Sequence, residues 1–276
     1  MQHTKRPNQK RWHFLAALAV LPAVVLGMLG MLLNGFSSIL WLQQAAAFLL
    51  CLLYARPLRR ALSKLPAVIL AVMLVLLLSS SMFGEGVGGA KRWINLGIFN
   101  INAASLFLPM LLVLLSSMNN FEVLLLCGAG ILCFQPDLSQ LTAFAAASFP
   151  ILWRRGKSRG RSLLCMAVQA ALLFVCLRIP TAIEPLPHSE GILHMLGQLS
   201  PVLFLSGLVS LVVIPCFWGY RFFKTRSTWQ FSLTIYYAVT ILFGLSGEYP
   251  IPFMGFGLSP IAGYWLAGMV APEIQE

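Results

Sequence analysis

Three short stretches of this chain hold residues able to do chemistry. The first, GGAKRWINLG at 88–97, sets Lys91, Arg92 and Trp93 side by side after two glycines. Lysine and arginine both meet phosphate oxygens, arginine through a two-pronged contact. An indole with one N–H suits a membrane interface, and glycines allow a tight turn and close backbone approach. The same trio also reads as plain interfacial anchoring. The second stretch, QPDLSQL at 135–141, places Asp137 after a proline. That pair marks a helix start with the aspartate at its cap, or an acid held ready at a helix end. The third, IEPLPHSEGILHMLGQL at 183–199, carries His188, Glu190 and His194. Glu190 and His194 are four apart, a spacing that shares a face in a helix. Two imidazoles and a carboxylate are metal-ligand types, and equally the makings of a polar loop surface. Arg178 closes the apolar run before this loop, where it would pair with Glu184, meet an anion or snorkel to headgroups.

The elements that position these residues are long apolar runs. The chain of 276 residues is 59% hydrophobic and 10% charged, with a mean hydropathy of +0.83. That balance excludes an ordinary soluble domain and points to an all-α polytopic membrane protein. The runs predict ten transmembrane helices, at 14–34, 38–54, 65–83, 102–118, 121–134, 139–153, 162–178, 199–218, 229–246 and 256–271. No linker or soluble insertion divides them, so residues 1–276 read as a single integral membrane domain. The six cysteines sit in or beside the apolar runs without a CxxC pair, as small buried hydrophobes rather than a disulfide frame or zinc site. The first run is expected to be a retained span rather than a cleaved leader.

The cations set the orientation. With both termini in the cytoplasm, sixteen of the nineteen Lys and Arg residues fall on the cytoplasmic side. Only Lys91, Arg92 and Arg178 fall outside, a bias the positive-inside rule explains. The net charge of +11 is therefore read as topology and not as a sign of nucleic acid. Glu85, Asp137, Glu184, Glu190 and Glu248 all fall outside, against Glu122, Glu273 and Glu276 inside. Carboxylates do little to set topology, so this asymmetry suggests an external polar site.

GAKRWINLGIFN resembles the GA-x-RWI-x-LG segment of the SEDS family, the FtsW, RodA and SpoVE type proteins of bacterial division, elongation and sporulation. QPDLSQL is similar to that family's QPDLGTA segment, and IPFMGFGLSP at 251–260 to its LPFISYGGSS segment. The three come in family order in a ten-span frame. The resemblance implies a peptidoglycan glycosyltransferase in the bacterial cytoplasmic membrane. Its substrate would be lipid II or a related undecaprenyl diphosphate sugar, and its partner a class B penicillin-binding protein, a transpeptidase. Aligned with the family's P-x-x-x-TDF segment, Ser189 and Glu190 stand for Thr and Asp. Glu190 would then be the catalytic base, with Lys91, Arg92, Trp93, Asp137 and Arg178 binding substrate. No protein-bound cofactor is expected, with a divalent cation left open as a carrier of diphosphate charge.

The departures count too. Where the family has QPSEL and then a lysine, this chain has Asn102, Ala103, Ser105 and Leu108, so one acid and one cation are missing together. Gly255, Phe256, Leu258 and Pro260 replace Ser, Tyr, Gly and Ser in the last motif. Two further readings follow: a catalytically degenerate scaffold or regulator of wall synthesis, and a transporter of lipid-linked precursors. The transporter reading is the weaker, because few ionisable residues lie within the spans.

Overall fold

The computed structural model describes residues 9–84, 89–95, 97, 100–181, 184–255 and 257–271, with side chains from Phe14 onward. Glu85 and Phe256 lie outside the described residues. The chain folds as α1 (Gln9–Leu33), α2 (Ser38–Leu62), α3 (Ala67–Ser80), β1 (Trp93–Asn95), β2 (Asn100–Asn102), α4 (Ala103–Ser117), α5 (Glu122–Phe134), α6 (Leu138–Arg155), α7 (Arg159–Cys176), α8 (Ile192–Leu199), α9 (Pro201–Thr225), α10 (Thr228–Gly244) and α11 (Leu258–Val270). A 3-10 turn at Ser81–Phe83 follows α3.

Side-chain placement is inverted relative to a water-soluble protein. Leu163, Leu164, Phe174 and Val175 on α7 face outward, whereas Gln44, Gln169 and Gln230 are almost wholly buried. A hydrocarbon solvent favours this arrangement, because polar groups then find partners only inside the bundle. Gln169 Oε1, for instance, accepts from the Ser148 hydroxyl at 3.1 Å. Four helices are long and apolar enough to cross a membrane by length and composition: α1 over Phe14–Leu33, α2, α7 and α9. The shorter apolar ones are α3, α4, α5 and α11. At 1.5 Å per residue, α4 rises about 22 Å, short of a hydrocarbon core of about 30 Å. It is tolerated because protein surrounds it: eleven of its residues are buried.

The centre is built by α4, α6, α10 and α11, with α6 packed most extensively on α10 and α4 on α11. The α4–α11 approach is close enough that a Cβ on Gly263 would stand 2.2 Å from the Ser105 carbonyl oxygen. Around this centre α2 packs on α11, α1 on α9, and α7 on α5 and α6. Trp218, Tyr236, Tyr237 and Tyr264 are among the largest side chains fully buried in the core.

The ten predicted spans correspond to the ten longer helices, with three differences. First, α2 runs on to Leu62 and α9 to Thr225, so Arg56, Arg59, Arg60, Arg221 and Lys224 ride on helices rather than in loops. Long basic side chains are good helix formers and reach the interface without breaking the helix. Second, a short helix that was not expected, α8, precedes the run expected from 199. Pro201 lacks an N–H and turns Ser200 to extended geometry, φ −166° and ψ 136°, which ends the short α8 and starts α9. The Ser200 hydroxyl accepts from the Val202 N–H at 3.2 Å, capping the new helix. Third, the RWIN segment forms a hairpin, with Trp93 opposite Asn102, Ile94 opposite Ile101 and Asn95 opposite Asn100.

Candidate active site

The hairpin decides where the two cations go. The Arg92 carbonyl accepts from the Ala103 N–H at 3.1 Å, so extended pairing continues back past Trp93. Successive side chains in extended backbone point to opposite faces. Lys91 is accordingly exposed, Arg92 is 7% exposed, and Trp93 is half-buried. The turn is closed by Asn95, whose Oδ1 accepts from the Gly97 N–H at 2.7 Å.

Arg92 is received by the start of α6. Its Nη2 donates to the Pro136 carbonyl, and its Nε stands 3.6 Å from Asp137 Oδ2. Asp137, 2% exposed, also caps α6 by accepting from the Gln140 N–H at 3.3 Å. The capping reading of this aspartate therefore holds, and the same side chain is the ion-pair partner of Arg92. Tyr249, from the loop before α11, sets its ring 5.9 Å from the Arg92 guanidinium carbon, within the range of a cation–π contact. Gln135 fixes the end of α5 by donating to the Leu78 carbonyl at 2.9 Å and the Ser81 hydroxyl at 2.7 Å.

A neutral polar chain continues inward. Gln140 Nε2 donates to the Ser105 hydroxyl at 3.2 Å, and Gln140 Oε1 accepts from the Tyr236 hydroxyl at 2.6 Å. Asn102 caps α4, accepting from the Ser105 N–H at 2.9 Å, while its own N–H donates to Ser259 at 2.8 Å. Ser105 and Leu108, which stand where the SEDS pattern has its acid and its lysine, hold a hydrogen-bonded hydroxyl and a fully buried apolar side chain. The missing acid and cation leave no buried charge unpaired here.

Glu190 lies in the turn just before α8. Its Oε2 accepts from the Leu186 N–H at 2.8 Å, and its own N–H donates to the Leu186 carbonyl at 2.9 Å. At 8% exposure its carboxyl is pushed above the usual glutamate value by loss of water. Hydrogen bonds from the backbone and the Ser189 hydroxyl oppose this, as does, more weakly, the charge of Arg92. The turn is seated on the last motif. Ile251 N–H donates to the Ser189 carbonyl at 3.3 Å, and a Cβ on Gly255 would come within 2.6 Å of that same oxygen. Gln44 on α2 holds the motif from behind, its Nε2 donating to the Phe253 carbonyl at 2.6 Å. Phe253 itself has φ of 69°, the left-handed backbone that such a carbonyl anchor over-determines.

Three comparisons put this geometry in context. No family model and no curated protein matches the sequence. Among solved structures, Thermus thermophilus rod shape determining protein RodA matches with a TM-score of 0.67 at 20% identity, over 93% of this chain and 95% of that one. A single-residue mutant of the same RodA matches with a TM-score of 0.68 at 19% identity, over 93% and 96%. The chain has the RodA fold. A chain from a peptidoglycan synthase complex described for its coordination of polymerization and crosslinking also matches, with a TM-score of 0.68 at 18% identity over 94% and 97%.

In this RodA-like frame the residues singled out by sequence divide into two groups. Arg92, Asp137 and Glu190 are all buried, Arg92 against Asp137 and with its charge in reach of the Glu190 carboxyl. Lys91 faces outward, and Arg178 is exposed with its guanidinium carbon 5.0 Å from the Phe174 ring. His194 does not share a helical face with Glu190. α8 begins at Ile192, and His194 is exposed against Gln198, with Nε2 3.0 Å from the amide nitrogen. His188 packs instead on Phe36, ring centroids 5.4 Å apart, and burial lowers its pKa. Among the described residues, no three His, Cys, Asp or Glu side chains cluster as a metal site. Sequence reading missed Tyr249, Tyr236 and Gln44, and left Gln140 unremarked inside a quoted motif. Only the motif position of Gln140 was a signal available in advance.

Proposed function

We propose that this protein polymerises a glycan from a lipid diphosphate sugar of the lipid II kind, working with a class B penicillin-binding protein on the outer face of the bacterial cytoplasmic membrane. One observation carries this reading: a desolvated carboxylate, Glu190, is held by a backbone hydrogen bond within reach of the charge of Arg92, itself buried against Asp137, in a RodA-like frame. Loss of water raises the proton affinity of Glu190 and so makes it a better base. In the step proposed, Glu190 takes the proton of the acceptor sugar hydroxyl. The hydroxyl oxygen bonds to the donor's anomeric carbon, and the bond from that carbon to the diphosphate breaks, the electron pair leaving with the diphosphate. A single displacement of this kind inverts the anomeric centre. Arg92 contributes a fixed positive potential to the departing diphosphate, while Asp137 keeps that guanidinium oriented. Lys91 and Trp93 sit nearer the surface, suited to the headgroup region of the substrate.

Purified protein is supplied with labelled lipid II, alone and with a class B transpeptidase. Glycan chains should form, and Glu190→Gln should slow them by about 100-fold or more, the usual scale for a general base. Absence of polymer in both settings, or full activity in the variant, would overturn the assignment. A second reading, a non-catalytic scaffold, is favoured by one observation. Arg92 is already neutralised by Asp137, and Ser105 and Leu108 bring no further charge. Capture of the transpeptidase that survives Glu190→Ala, without turnover, would select it.

A further inference from the structure

A cavity of about 1030 Å³ opens between α1, α2, α3, α4 and α11. It lies at the end of the bundle opposite Glu190. α2 starts at Ser38, just after Phe36, whose ring meets His188. Arg56 lies about 27 Å further along the helix at 1.5 Å per residue, close to the thickness of a hydrocarbon core. The cavity is two-sided in chemistry. Leu53, Leu70 and Trp265 give it an apolar wall, and Arg56, Arg59 and Arg60 give it cations. No acid lines it among the described residues. Arg56 and Arg60 are four apart on one face of α2, and both are exposed. Arg59 has an interaction of its own within the protein, and Arg56 and Arg60 are the cations that face the opening.

We propose that this cavity binds an anionic phospholipid, with its phosphate between Arg56 and Arg60 and its acyl chain against Leu53 and Leu70. Charge complementarity selects an anion, and two forked guanidiniums suit phosphate oxygens. The apolar wall requires a hydrocarbon portion that a free anion lacks. The volume is at the upper end of the range for small-molecule sites, roughly 300–1,000 Å³. Basic pockets between membrane helices at their cytoplasmic ends are a recognised kind of site for acidic lipid headgroups. The site is remote from Glu190 and independent of any glycan chemistry.

The test is equilibrium binding of phosphatidylglycerol and phosphatidylcholine to the full chain in a neutral detergent, read by native mass spectrometry. One phosphatidylglycerol should bind saturably and at least about tenfold more tightly than phosphatidylcholine. At on the order of 1 kcal/mol per basic residue, the double variant R56Q/R60Q should weaken phosphatidylglycerol roughly thirtyfold. R155Q/K157Q loses the same charge from a different turn and should bind as the parent does. Ser117→Phe fills the cavity without touching its charge and should also lose the lipid. Equal affinity for the two lipids, equal loss in R155Q/K157Q, or unchanged binding by Ser117→Phe would overturn the proposal. So would displacement of phosphatidylglycerol by excess inorganic phosphate, which would mark a bare anion site. Melting of each variant at the parent's temperature confirms that it is folded, and no readout depends on turnover.

Discussion

Glu190 carries opposed consequences for activity and stability. As a base it works only when ionised, so activity should fall as pH drops through its raised pKa. The acid limb of the rate profile should therefore stand above the ordinary glutamate value of 4.5. A limb at or below that value would remove the desolvated base from the mechanism. For stability the sign runs the other way. The folded pKa is raised above the unfolded one, so folding costs nothing from this group below the unfolded pKa. The cost grows as pH rises through the folded pKa. Glu190→Gln should consequently melt above the parent at pH 7–8, and the gap should close below the unfolded glutamate pKa. A variant that gains nothing at neutral pH would mean that the Leu186 N–H and its neighbours fully offset the lost water. A stability gain coupled to an activity loss is the pattern of a site strained for function. At this scale sequence exposed the residue types well. It gave no sign that Lys91 and Arg92 part company, because their directions depend on pairing with Ala103, a residue brought across by the hairpin.

Ends and turns of elements hold the site, and they can be tested separately. Asp137 is both cap and counter-ion. Asparagine retains most capping ability, so Asp137→Asn isolates the charge. Leaving the buried Arg92 uncompensated should cost about 3–5 kcal/mol. The double variant R92Q/D137N should recover most of that loss in a double-mutant cycle. Additive losses would mean that the 3.6 Å pair contributes nothing specific. Gln44→Leu removes the donor to the Phe253 carbonyl and should destabilise by about 1–3 kcal/mol. It should also raise hydrogen exchange in the 251–255 loop, and unchanged exchange there would show that the turn at Ser189 holds the loop unaided. Most helices were legible in advance, since each is an apolar run bounded by polar, basic, glycine or proline residues. The hairpin was not, because its strands are three residues each and too short for alternation to register. α8 was hidden for a related reason: at eight residues it is too short for helical periodicity to stand out within a segment read as a loop.

Across the whole molecule, the orientation proposed from the cations is open to direct test. Lys157→Cys should react with a membrane-impermeant thiol reagent only from the cytoplasmic side, and Glu248→Cys only from outside, each in a background lacking the six native cysteines. Reversal of either result would move Glu190 to the wrong face for an external lipid substrate. The sequence by itself determined an all-helical chain built for lipid, the approximate position of every longer helix and, through three short motifs, the RodA-like arrangement. These properties are local: hydropathy, charge bias and helix-ending residues act within a few turns of themselves. Only the tertiary structure decided that Arg92 is buried against Asp137 while Lys91 is not, that Glu190 is shielded from water on a turn anchored at Ser189, and that a cavity lined by arginines lies at the far end. Each of those outcomes depends on segments distant in the chain coming into contact. Burial and pairing belong to the packed bundle and cannot be assigned to any one segment before it packs.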